Sequence, residues 1–134
     1  MNNIDNFPNY ASCTISIIGL GYVGLPTALV LAECGYFVTG YDIDSNLISE
    51  LNQSIYRGEE PKIGDLLRKE VSTGKFIANH QLVPSDAYII CVPTPIDEKT
   101  KRPIMKAVDD VVQQVNHIVK LGNLVVLCST SPVG

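Results

Sequence analysis

Gly19, Gly21 and Gly24 stand in the spacing Gly-x-Gly-x-x-Gly, between a β-branched apolar run and a run of apolar residues at helical spacing. A loop of that kind between a strand and a helix is suited to holding a dinucleotide pyrophosphate. Gly19 permits the tight turn out of the strand, Gly21 keeps a Cβ out of the path of the phosphates, and Gly24 lets the helix pack closely on the sheet. Leu20, Tyr22 and Val23 complete the loop, and the amide groups and positive dipole end of the helix face the anion. Asp42 follows about 20 residues beyond the glycines, where an acid accepts hydrogen bonds from the adenosine ribose hydroxyls. Its charge repels a 2′-phosphate and no arginine stands just after it, so the expected cofactor is NAD rather than NADP. The alternative is a glycine turn in a protein without nucleotide, with Asp42 capping the next helix, although Asp44 is better placed as the N-cap.

Two further groups of polar residues follow apolar runs. The run Ala87–Val92 stops at Pro93-Thr94-Pro95, a rigid turn that can hold backbone groups and the Thr94 hydroxyl against a cofactor at the carboxyl edge of a sheet. A turn that merely stiffens a loop is the other reading. The run Leu124–Cys128 reads as a buried strand that delivers Ser129-Thr130-Ser131-Pro132 to the same edge.

The elements that must position these groups are legible in the spacing. Thr14–Ile18 and Tyr36–Tyr41 read as strands of a parallel sheet. Between them Leu25, Ala28, Leu29 and Ala32 fall at i, i+3, i+4 and i+7 of a helix, with Pro26 in its first turn and Gly35 as its stop. Leu47, Ile48 and Leu51 predict a short helix, and Ile63, Leu66, Leu67 and Val71 an inserted one that Gly74 ends. Lys75–Ala78 reads as a short strand. Ile96–Pro103 is a solvated loop, and Val108, Val111, Val112, Val115 and Val119 mark a helix that Gly122 stops. Such alternation implies an α/β fold of Rossmann type, doubly wound, with a mostly parallel sheet and helices on both faces.

At 134 residues the chain accommodates one domain, expected over residues 13–134 behind a flexible segment 1–12. A charged fraction of 18% and a net charge of −4, without a basic cluster, argue against binding nucleic acid or an anionic membrane surface. No signal peptide and no apolar run near the roughly 20 residues that span a bilayer are present, which points to the cytoplasm. Cys13, Cys34, Cys91 and Cys128 lack metal or disulfide spacing and read as small buried hydrophobes, so no metal site is expected. His80 and His117 read as solvated.

Taken together, Gly19-Leu20-Gly21-Tyr22-Val23-Gly24-Leu25-Pro26, Tyr41-Asp42-Ile43-Asp44, Val92-Pro93-Thr94-Pro95 and Ser129-Thr130-Ser131-Pro132-Val133-Gly134 resemble the NAD-binding domain of the UDP-glucose/GDP-mannose dehydrogenases. The resemblance covers nearly the whole chain and is strongest to the bacterial branch that oxidises UDP-N-acetylmannosamine, with oxidisers of UDP-N-acetylglucosamine close behind and UDP-glucose as a further alternative. It implies a two-step oxidation of the sugar C6 alcohol to the acid with two NAD, for surface polysaccharide precursors. It assigns Gly19–Gly24 to the pyrophosphate, Asp42 to the adenosine ribose, Val92–Pro95 to the nucleotide, Ser129 to the nicotinamide end and Thr130 to the catalytic water. Two positions depart from the family pattern: Cys128 replaces a frequent Glu, and Leu47 a basic residue found in some relatives.

The family's catalytic cysteine lies in a Gly-Phe-Gly-Gly-x-Cys segment that these 134 residues do not contain. The chain therefore reads as a piece of a longer, homodimeric enzyme in which the UDP-sugar is bound elsewhere. A β-hydroxyacid dehydrogenase shares the fold and glycine motif, but by resemblance lacks the paired Pro-Thr-Pro and Ser-Thr-x-Pro turns. A stand-alone NAD-binding module without turnover is the third reading.

Overall fold

β-Branched and apolar runs become strands here, and the central ones are covered on both faces. In the computed structural model, which describes residues 12–128, the order is β1 (Thr14–Ile18), α1 (Gly24–Glu33), β2 (Phe37–Tyr41), α2 (Ser45–Asn52), α3 (Pro61–Ser72), β3 (Phe76–Asn79), β4 (Ala87–Ile90), α4 (Lys106–Ile118) and β5 (Leu124–Leu127). The five strands form one sheet in the order β3-β2-β1-β4-β5, and every pairing is parallel. The strand order reverses between β1 and β4, the place where open α/β sheets leave a crevice at their carboxyl ends.

The helices divide between the two faces. α1, α2 and α3 bury Leu25, Ala28, Leu29, Leu51 and Leu67 against Ile17, Val38 and Phe76. α4 buries Val111 and Val115 against Ile18, Tyr41, Tyr88 and Ile90 on the opposite face. Tyr88 and Ser16 are paired inside this frame: the Tyr88 hydroxyl accepts from the Ser85 amide at 2.8 Å, and the buried Ser16 hydroxyl lies 2.6 Å from that of Ser85. At the β3 edge the Asn52 side chain brackets Ala78, donating to its carbonyl at 2.8 Å and accepting from its amide at 2.9 Å. An edge strand is thereby partly closed to pairing with another chain. No helix among the described residues is long and apolar enough to cross a membrane.

Three expectations are corrected. β5 is not a buried strand: Leu124, Val125 and Leu127 are 59, 45 and 47% exposed, because among the described residues β5 pairs with β4 alone and belongs to neither core cluster. The cysteines are not buried either. Cys13 and Cys91 are half-buried, while Cys34, at the C-cap of α1, and Cys128, just past β5, are exposed. α4 ends at Ile118, where Val119 turns extended, and Gly122 (φ +92°) shapes the following turn instead. The expected loop at 96–103 is pinched by a bridge between Ile96 and Pro103. Residues 1–11 lie outside the described residues, and with them most of the segment expected to be flexible.

Leu29→Ala, at a fully buried position of α1, is expected to cost about 2–5 kcal/mol in urea unfolding. Leu124→Ala at the open edge is expected to change stability by about 0.5 kcal/mol or less. Equal losses at the two positions would contradict the placement of β5.

Candidate functional site

β1 and β4 end side by side, and the chain leaves both at the same edge of the sheet. The Cys91 amide donates to the Ile18 carbonyl at 2.7 Å, and the Gly19 amide to the Tyr41 carbonyl at 2.8 Å. Gly19 has φ +95°, and a Cβ there would stand 2.8 Å from the Cys91 carbonyl oxygen. A Cβ at Gly24 would overlap the Gly19 carbonyl oxygen. These two glycines are required by the fold itself. Gly21 is different: it is exposed, and among the described residues nothing lies within 4 Å of the position its Cβ would take.

α1 starts at Gly24 without a side-chain cap and without an acid in its first turn. Its first bonds run from Leu25 N to Gly21 O and from Thr27 N to Val23 O, each 3.2 Å. The amides of Gly21 to Gly24 therefore precede the helical ladder at the positive end of the dipole, a place that favours an anion. Within the loop Leu20 turns inward and is buried, whereas Tyr22 is 99% exposed and Val23 is exposed.

Asp42 holds the loop from the other side. Its Oδ2 accepts from the Leu20 amide at 2.9 Å and its Oδ1 from the Asp44 amide at 3.0 Å. Each carboxylate oxygen has a second lone pair for a further donor. Asp44, not Asp42, caps α2, accepting from the Asn46 and Leu47 amides at 3.0 and 3.2 Å.

Two hollows meet over Gly21, Val92 and Pro93. One, of about 400 Å³, has Gly19, Tyr41 and Asp42 on one side and α4 on the other. The second, of about 270 Å³, lies between Tyr22 and Val23 of the loop and Cys91, Thr94 and Cys128. Together they make a trough from Asp42 across the loop to the β4–β5 edge. A larger hollow of about 530 Å³ opens on the other flank of the loop, beside Leu25, Tyr56 and Arg57. It reaches neither Asp42 nor the turn after β4, so its volume alone does not make it the better site.

Of the described residues expected at the site, Gly19, Gly21, Tyr22, Val23, Asp42, Val92, Pro93 and Thr94 line the trough, whereas Leu20 is turned inward and Gly24 is packed under the loop. Pro95 lines neither half of the trough; its carbonyl accepts from the Ile104 amide at 2.7 Å at the base of the 96–103 turn. Ser129 and Thr130 lie outside the described residues. The wall contributed by α4 was not anticipated: Ala107, Asp110, Val111 and Gln114 line the trough, and Gln114 Oε1 accepts from the Tyr41 hydroxyl at 3.3 Å. Their spacing of i, i+3, i+4 and i+7 marks one helical face, but two of them are polar, so apolar periodicity passes over them. Burial, and then the neighbouring Cys128 thiol, push the Cys91 thiol up to about 11.

Residues 13–134 match the family described as UDP-glucose/GDP-mannose dehydrogenase family, NAD binding domain. Over 121 residues the chain is 42% identical to an NDP-N-acetyl-D-galactosaminuronic acid dehydrogenase of Ralstonia nicotianae, covering 90% of this chain and 28% of that protein. It is 40% identical to a UDP-N-acetyl-D-mannosamine dehydrogenase of Salmonella typhi, covering 90 and 29%. Among solved structures it superposes on the UDP-D-ManNAc dehydrogenase of Pyrococcus horikoshii with a TM-score of 0.83 at 36% identity, covering 89 and 29% of the two chains. A ternary complex of GDP-mannose dehydrogenase from Pseudomonas aeruginosa gives 0.81 at 31%, covering 87 and 28%. The chain thus spans less than a third of the length of the curated relatives named here.

The contrast between the glycines is open to measurement. Gly24→Ala is expected to lose about 1–3 kcal/mol of stability by overpacking the loop against itself, whereas Gly21→Ala is expected to stay within about 0.5 kcal/mol. Urea unfolding of both variants checks this, and a large loss at Gly21 would show that the fold needs that glycine as well.

Proposed function

The chain belongs to the UDP-glucose/GDP-mannose dehydrogenase family as its NAD-binding domain, and from that premise we propose that it serves the oxidation of a UDP-N-acetylhexosamine, with UDP-N-acetylmannosamine as the first choice. The reaction of this reading takes the C6 alcohol through the aldehyde to the uronic acid, four electrons in all, with two NAD in turn. The relatives named for UDP-N-acetyl-D-mannosamine support that substrate. An N-acetylgalactosamine-type sugar nucleotide is the second reading, favoured by the relative at 42% identity.

The observation that carries the placement of the cofactor is Gly21. Among the described residues no protein atom needs the space above it, and a ligand that approaches the backbone closely would account for a glycine there. In this reading the amides of Gly21 to Gly24 hold the pyrophosphate, and the free lone pairs of Asp42 receive the adenosine ribose hydroxyls. Val92, Pro93 and Thr94 flank the nucleotide along the sheet edge. Ser129 contacts the nicotinamide end and Thr130 positions water, both by family resemblance. NAD held there supplies the hydride acceptor. The protein's part is to fix its orientation and to exclude a 2′-phosphate, which the Asp42 carboxylate opposes at short range. None of Cys13, Cys34, Cys91 and Cys128 is given the role of nucleophile.

Calorimetric titration tests the assignment. NAD is expected to bind and NADP to bind more weakly, and Asp42→Ala is expected to weaken NAD by about 1–3 kcal/mol, the scale of hydrogen bonds to a charged group. Unchanged affinity in that variant would place the ribose elsewhere. Gly21→Val is expected to abolish binding while leaving the unfolding transition intact, and tight binding by it would remove the pyrophosphate from this loop.

A further inference from the structure

β4 and β5 run parallel with Ile90 opposite Leu127, and the Cys128 amide donates to the Ile90 carbonyl at 2.8 Å. One residue further along this register, Cys91 stands opposite Cys128. Adjacent strands lie about 4.8 Å apart, inside the Cα–Cα range of about 4.4–6.8 Å that a disulfide spans. Both residues line the same hollow beside Tyr22 and Val23. They differ in exposure, Cys128 being exposed and Cys91 half-buried against Gly24 of α1.

We propose that Cys91 and Cys128 form a thiol-modification site that accepts small-molecule disulfides and closes reversibly to an intramolecular disulfide. The exposed Cys128 thiolate attacks one sulfur of the small disulfide, whose S–S bond breaks and releases one thiol. Cys91 then loses its proton and attacks the Cys128 sulfur, forming the protein disulfide and releasing the second thiol. Two protein thiols are oxidised and one small disulfide is reduced, so electrons and protons balance.

The order of attack follows from exposure and from the thiolate supply. Cys91, raised from 9.0 to about 11, is the poorer first nucleophile, but in the second step its target is held next to it. The product ties the edge strand β5 to β4 at the rim of the trough. Cys13, before β1, and Cys34, after α1, lie at the opposite ends of their elements from this rim.

The test uses the full 134-residue chain, reduced, exposed to oxidised glutathione at mildly alkaline pH, blocked with an alkylating agent and digested with trypsin without reduction. The expected product joins the peptides Phe76–Lys99 and Leu121–Gly134, while Cys13 and Cys34 share the separate peptide Met1–Arg57. Added reductant should restore both thiols. Cys91→Ser should trap glutathione on Cys128, and Cys128→Ser should slow modification of Cys91 at least about tenfold relative to Cys128 in the first variant. A glutathione adduct that persists on Cys128 of the unaltered chain, or a link from either residue to Met1–Arg57, overturns the proposal. These readouts need no NAD, so failure of the cofactor reading leaves them independent.

Discussion

The close approach of the glycine loop to the end of β4 is the contact on which the site depends. Gly19 turns with a positive φ under the Cys91 carbonyl, and Gly24 brings α1 against the Gly19 carbonyl. A side chain at either position pushes the helix away from the sheet. The amide groups of the loop would then no longer converge over the carboxyl ends of the strands, and the helix dipole would point elsewhere. Asp42 secures the same arrangement from β2, since one carboxylate spans the Leu20 and Asp44 amides. It thus has a structural task besides the ribose contact proposed for it, and the two use different lone pairs.

The parallel sheet and the division of helices between two faces were legible from strand-helix alternation, because parallel strands joined by helices have few allowed arrangements. The distinct tasks of the three glycines were legible as a motif, but only the geometry separates Gly19 and Gly24, which the fold requires, from Gly21, which it does not. The burial of β5 was misread for a physical reason. An apolar run such as Leu124–Leu127 has the same pattern whether or not its faces are covered, and among the described residues neither core cluster includes it. The α4 wall was missed because Asp110 and Gln114 interrupt the apolar spacing. The meeting of Cys91 and Cys128 depends on the pairing of two strands separated by a helix, which no local spacing encodes.

The two edges of the sheet are treated differently. β3 is bracketed by the Asn52 amide, so its outer backbone groups are partly satisfied within the chain. β5 presents exposed leucine and valine side chains beside the trough, and with them the Cys128 thiol. The chemistry proposed for both the cofactor and the thiol pair therefore converges on the region where β1, β4 and β5 end, the crevice that strand order alone marks out.

The central claim is that NAD lies in the trough from Asp42 across Gly21 to the turn after β4. The most direct measurement is an amide NMR titration of the isotope-labelled chain with NAD. The account predicts the largest shifts at the amides of Gly21 to Gly24, at Leu20 and Asp44 through Asp42, and at Val92 and Thr94. Shifts centred instead on Tyr56 and Arg57, around the larger hollow on the other flank of the loop, would contradict it.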